Sequence, residues 1–139
     1  MKVMFDTNIY ISFIRNHTHA AQLQQRGSVK YLSAIALMEL WAGAKTKKAE
    51  RLIHQLQKPY KDAARIVTLN PEHYITIGHF LSDLPPEYRN LCKKAGFLND
   101  VQIAMTAISI GATLYTENAT HFDIIRSGIK PLKVEYLMA

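Results

Sequence analysis

The chain has 139 residues, 48% of them hydrophobic. That is enough for one ordinary domain and short for two, and it supports a packed core rather than a disordered chain. Seventeen Lys and Arg against eleven Asp and Glu give a formal charge of +6, a balance that suits a polyanionic partner such as nucleic acid and can also serve solubility alone. The single cysteine, Cys92, excludes an internal disulfide and suits a reducing cytosol. Asp6 interrupts the short apolar run at the N-terminus, and no cleavage-like segment follows, so no secretory signal is expected. No apolar stretch reaches transmembrane length without a charge. The expectation is a cytoplasmic protein of one domain, residues 1–139, with no membrane association.

Val3-Met4-Phe5 is a continuous apolar run, the pattern of a strand covered on both faces. Thr7 or Asn8 follows as a helix cap, with Ile9, Phe13 and Ile14 in the helix. A short helix from about Thr18 to Gln25 is expected to stop at Gly27. Val29 to Leu32 reads as the second strand. Ser33 then caps a helix that carries Ile35, Met38, Glu39 and Ala42 at helical spacing, with Gly43 in its last turn. A polar helix from Thr46 to about Gln57 is expected to end before Pro59. Ile66 to Leu69 reads as the third strand, and Pro71 opens a helix running to about Leu81. The turn at Leu84-Pro85-Pro86 precedes another helix that ends near Gly96.

Asn99 is the expected cap of the next helix, where Asp100, Ile103, Ala104, Ala107 and Ile108 share one face. Asp100 then lies in the first turn, on the apolar stripe. Gly111 ends this helix, Ala112 to Tyr115 is the fourth strand, a short helix starts after Asn118, and Lys133 to Tyr136 is the fifth strand. Strands alternating with helices predict an α/β fold. The expected form is a three-layer α/β/α domain around a central parallel sheet of four to five strands.

Three solitary acids stand out. Asp6 is the only charge between Lys2 and Arg15, Glu39 the only one between Tyr31 and Ala44, and Asp100 the only one between Ala95 and Thr116. Acids are rarely buried unless they are paired, hydrogen-bonded or bound to a metal. Asp6 follows the first strand, so it belongs at the carboxyl edge of the sheet, where open α/β sheets hold their functional crevice. Spacing alone leaves the position of Asp100 relative to Asp6 open. Converging carboxylates repel one another, and a hard divalent cation relieves the repulsion. Mg²⁺ and Mn²⁺ take oxygen ligands, whereas the absence of a Cys cluster or HExxH argues against zinc. Carboxylate-held metal in a basic protein points to phosphodiester chemistry.

These residues resemble the motifs of the PIN-domain ribonucleases, in particular the VapC-like toxins of bacterial and archaeal toxin–antitoxin pairs. FDTNIYI resembles the family's first motif, with Asp6 as its acid. SAIALMELWAGA resembles the second, with Glu39, and NDVQIAMTAISIGATLYTEN the third, with Asp100. TENATHF is similar to the fourth. The resemblance implies a PIN-like α/β/α fold and a magnesium- or manganese-dependent endoribonuclease acting on RNA. It also implies a homodimer neutralised by a cognate antitoxin. Asp6, Glu39 and Asp100 would be the catalytic, metal-binding acids, with Thr7, Asn8, Thr116, Asn118 and His121 in support. One departure is that His121 occupies the position often held by a fourth acid, which puts a second metal in doubt.

Blander readings stand beside these. Asp6 can cap the first helix, and Asp100 can favour a helix N-terminus. Glu39, mid-helix among apolar neighbours, has no such explanation. Tyr60, Tyr74 and Tyr88 can stack bases or be structural. Trp41 suits a core or a dimer interface. Lys45, Lys47, Lys48 and Arg51, with Arg89, Lys93 and Lys94, can hold an RNA backbone or form solvated helix faces. An alternative function is a PIN-like module that binds RNA or protein without cutting. A third is a phosphotransferase with Asp6 as nucleophile, which the Asn at position 8 disfavours.

Overall fold

The structure, a computed structural model, describes residues 1–139. The chain forms β1 (Lys2–Phe5), α1 (Thr7–Asn16), α2 (Ala20–Leu23), β2 (Val29–Ser33), α3 (Ala34–Ala42), α4 (Lys47–Asp62) and β3 (Ile66–Val67). It continues with α5 (Pro71–Ser82), a 3₁₀ helix (Pro86–Lys93), α6 (Ala95–Ile110), β4 (Thr113–Thr116), α7 (Ala119–Gly128) and β5 (Lys133–Tyr136). The five strands make one sheet in the order β3-β2-β1-β4-β5, with every neighbouring pair parallel. Helices flank the sheet, giving the three-layer α/β/α architecture expected from the alternation of elements. No helix is long and apolar enough to cross a membrane.

Val3, Met4 and Phe5 are fully buried, which explains why β1 is apolar at successive positions rather than alternately. The chain builds outward from β1 through β2 to β3, then returns to place β4 on the other side of β1. The boundary between β1 and β4 is therefore the topological switch point, where a crevice opens beyond the strand ends. In register, Phe5 faces Tyr115, so Asp6 and Thr116 emerge side by side.

Three local expectations are corrected. Asp6 itself, not Thr7 or Asn8, is the N-cap of α1, and its carboxylate accepts from the Thr7 N–H. Helix α4 does not end before Pro59 but runs through it to Asp62. An interior proline removes a ladder hydrogen bond and crowds the preceding turn. Here tertiary contacts hold the last turn: the Tyr60 hydroxyl meets that of Tyr10 at 2.8 Å, with the rings edge to face. Tyr60 is thus a packing residue rather than a free stacking platform. Finally, α6 begins at Ala95, passes through Gly96, and has no side-chain cap. Asn99 is not its cap, and Asp100 lies in the second turn rather than the first. Burial outweighs capping in this helix. Phe97, Val101, Ile103, Ala104 and Ala107 are fully buried, and α6 touches β1, β2, β4, α3, α5 and α7. Gly111 closes it in the left-handed conformation, at φ 67°, which glycine adopts without penalty.

Candidate functional site

The three acids reach one place from three elements. Asp6 leaves the end of β1, Glu39 lies in the second turn of α3, and Asp100 lies in the second turn of α6. Helix α6 packs against α3 and β1, and that packing carries Asp100 to the other two. Asp6 is only 2% exposed and Asp100 9%, whereas Glu39 is half-buried.

Neutral donors hold all three carboxylates. Asp6 Oδ1 accepts from the Thr7 N–H and Oδ2 from the Thr116 hydroxyl, both at 2.7 Å. Thr116 Oγ1 in turn accepts from the Asn118 N–H at 3.0 Å and from Asn8 Nδ2 at 3.4 Å. With those lone pairs engaged, its one proton is directed at Asp6. The Thr7 hydroxyl donates to Glu39 Oε1 at 2.6 Å, so Thr7 links two acids. Asn99 Nδ2 donates to Glu39 Oε2 at 3.2 Å. Asp100 Oδ2 accepts from His121 Nδ1 at 2.7 Å and from Asn118 Nδ2 at 3.2 Å. Asn118 also caps α7 by accepting from the His121 N–H.

These donors favour ionised carboxylates, yet burial and mutual repulsion prevail. Burial raises the Asp6 carboxyl first, then the charge of Asp100, with Glu39 adding to it. Burial likewise raises Asp100, with Glu39 adding to it. The His121 imidazole is pulled below its usual value by burial, against Asp6 and with Lys94. Three carboxylates that feel one another's charge, with no salt bridge to Lys or Arg on any of them, form an anionic site lacking its counter-charge.

The donor set fits a hard divalent cation. It is carboxylate oxygen with one imidazole and no thiolate, the chemistry that suits Mg²⁺ or Mn²⁺. Asp6, Glu39 and Asp100 are the residues able to hold such an ion. No three acidic or histidine side chains are gathered at ligating distance around one point; the carboxylates are turned onto their neutral donors instead.

The eight residues expected at the site all lie in this network: Asp6, Thr7, Asn8, Glu39, Asp100, Thr116, Asn118 and His121. Asn99, anticipated only as a cap, is the addition. Its role depends on α6 starting a turn early, which no local signal revealed. The basic residues Lys45, Lys47, Lys48, Arg51, Arg89, Lys93 and Lys94 are all exposed. Only Lys94 is near enough to influence His121. A second site, built around one acid, was not anticipated. Glu117 Oε2 accepts from the Ser12 hydroxyl at 2.7 Å and lies 2.6 Å from His19 Nε2. One cavity, of about 720 Å³, is not at the acids. It lies among α1, α2, β2 and α4, with Phe13, Leu52 and Leu56 beside Lys30, Lys48 and Arg65.

Comparison with known proteins agrees with this architecture. VapBC-1 from nontypeable Haemophilus influenzae is similar at 26% identity, with a TM-score of 0.67 and 98% of each chain covered. VapBC2 from Rickettsia felis, solved bound to a DNA fragment from its promoter, is similar at 28% identity and a TM-score of 0.64, covering 99% of each chain. DNA-bound VapBC from Salmonella typhimurium is similar at 25% identity and a TM-score of 0.65, covering 98% of each chain. No curated protein matches the sequence. The PIN domain family model matches residues 3–126, nearly the whole chain and all three acids. The chain belongs to the PIN domain family.

Proposed function

We propose that this protein is a divalent-metal-dependent endoribonuclease, the toxin of a toxin–antitoxin pair, with residues 1–139 acting as one PIN domain. The observation that carries this reading is the convergence of Asp6, Glu39 and Asp100 at the β1/β4 switch point, without a cationic partner. A bound Mg²⁺ or Mn²⁺ ion would activate the attacking water and offset the charge that develops on the phosphate oxygens.

The chain's own residues prepare for that chemistry. Thr7, Thr116 and Asn99 fix the rotamers of Asp6 and Glu39, and Asn118 and His121 fix that of Asp100. Lys94, exposed and close to His121, is placed to meet an RNA phosphate. The net charge of +6 favours the polyanion more generally.

Two partners accompany this reading. The first is a cognate antitoxin, suggested by the VapBC complexes to which the chain is similar. The cavity among α1, α2 and α4 combines apolar walls with Lys30, Lys48 and Arg65, which suits a segment carrying apolar and acidic side chains. The second is another copy of the chain. Met38 and Trp41 on α3 and Tyr74 and Ile75 on α5 are large exposed apolar residues that a homodimer would cover. The protein would act in the cytoplasm, where its RNA is.

The test is cleavage of total cellular RNA by the purified chain, with Mg²⁺ or Mn²⁺ and with chelator, beside Asp6→Asn. Discrete metal-dependent products that vanish in the variant are expected. Undiminished cleavage by folded Asp6→Asn would overturn the mechanism. RNA retention without cleavage under any divalent ion would favour a binding module.

A further inference from the structure

The hydrogen bonds to the three acids are unevenly distributed. Both oxygens of Asp6 accept one bond each, as do both oxygens of Glu39. Asp100 differs: both of its donors, His121 Nδ1 and Asn118 Nδ2, converge on Oδ2. Asp100 Oδ1 has no protein donor. It is not sealed from water either, since no buried side-chain oxygen in the chain lacks a partner. Of six carboxylate oxygens, it is the one left free and open.

His121 is well placed to enforce this. Its backbone N–H is tied to Asn118 Oδ1, and its ring stands edge-on to Phe97, which is fully buried. The backbone of His121 is thus held within α7 and its ring against α6, which places Nδ1 2.7 Å from Oδ2. A second ion between Asp100 and His121 would have to displace that bond. It would also find no further acid there, because position 121 supplies an imidazole rather than a carboxylate and Lys94 adds positive charge close by. Three ionised carboxylates with one divalent ion leave a single negative charge, which the nearby Lys94 offsets, whereas two ions would leave a positive charge beside that lysine.

We propose that His121 is a positioning residue that holds Asp100 with Oδ1 presented to the ion, and that it limits the site to one divalent cation per chain. The inference rests on the metal-site reading above and deepens it.

The test counts bound Mn²⁺ on the purified full chain near neutral pH. The fall of the free-ion electron paramagnetic resonance signal is read as Mn²⁺ is titrated, so no cleavage assay is involved. Wild-type protein is expected to bind one ion per chain. His121→Asn keeps a side-chain donor toward Asp100 and should also bind one. His121→Ala loses the donor, and Mn²⁺ affinity should fall about 10–100-fold. His121→Asp replaces the donor with a ligand and should bind a second ion. Circular dichroism establishes that each variant is folded, and the Asn and Ala variants keep the test decisive if the Asp variant is not. Two ions on the wild type, unchanged affinity in His121→Ala, or a single ion on folded His121→Asp would each overturn the inference while leaving the nuclease reading intact. No ion on the folded wild type would instead sink the metal-dependent reading itself.

Discussion

Two acidic sites meet at the end of β4, one with three acids and one with a single acid, and they are built on opposite principles. Glu117 is compensated. Its Oε2 takes a hydrogen bond from Ser12 and faces the mostly buried His19, which can carry a positive charge. His19 sits in the left-handed region at φ 68°, a conformation that costs a non-glycine residue on the order of 1 kcal/mol. The contact with Glu117 holds that corner between α1 and α2 in place. One residue earlier, Thr116 serves the other cluster, where Asp6, Glu39 and Asp100 have only neutral donors and one another. A paired acid can be explained by the fold alone. Three mutually repelling acids without a Lys or Arg partner, two of them buried, oppose folding and need an explanation outside it.

The sharpest way to break this contrast is to neutralise one member of the three-acid site. Asp100→Asn can keep its carbonyl oxygen toward His121 and Asn118 and turn its amide to the open side. RNA cleavage should fall to background, while the metal-free chain gains stability. Relief of one repelled, desolvated charge should raise the melting temperature by several degrees, equivalent to about 1–3 kcal/mol. A lower melting temperature would mean that the carboxylate is structural. Next in size is Thr116→Val, which removes the donor to Asp6 and the acceptor for Asn8 and the Asn118 N–H. Metal affinity, measured by calorimetry, should drop about 10–100-fold.

The single-acid site should respond in the opposite sense. Glu117→Gln should lower the stability of the chain by about 1–3 kcal/mol in chemical denaturation, because His19 loses its charged partner. The number of bound metal ions should be unchanged. The smallest effect is the dependence on pH. Burial, with repulsion from the neighbouring carboxylates, pushes Asp6 and Asp100 from an ordinary value of 3.8 up to about 7 in the folded chain. Between those values the folded chain retains protons that the unfolded chain has released. Stability of the metal-free protein should therefore fall as pH rises through that window. Saturating Mn²⁺ should flatten or reverse the slope, because the ion binds the ionised form. A metal-free slope of the opposite sign would show that the acids are not repelled in the fold.

Much of the fold was legible because its signals are local. A fully apolar run predicts a doubly covered strand, and the structure has one at β1. Ser33 caps α3 and Gly111 closes α6 as their residue types suggest. Two of the three misreadings share one cause. Pro59 and Asn99 carry strong local preferences, for breaking and for starting a helix, and long-range packing overrode both. Tyr60 packs on Tyr10, fifty positions away in the chain, and the buried face of α6 extends upstream through Phe97. The compensated acid was missed because Glu117 lies 105 positions from Ser12 and 98 from His19, and all three are ordinary in type.

The sequence by itself determined which residues are anomalous: three lone acids in apolar segments, one of them at a strand end, in a basic chain. A charge that must be desolvated is visible wherever it is written, because the cost of burying it does not depend on the details of the fold. Only the tertiary structure decided that the three share one site, that Asn99 serves Glu39, and that His121 occupies one oxygen of Asp100 while leaving the other open. These relations depend on where α6 crosses α3 and the β1/β4 boundary. That crossing is set by the packing of a buried helix rather than by any spacing along the chain.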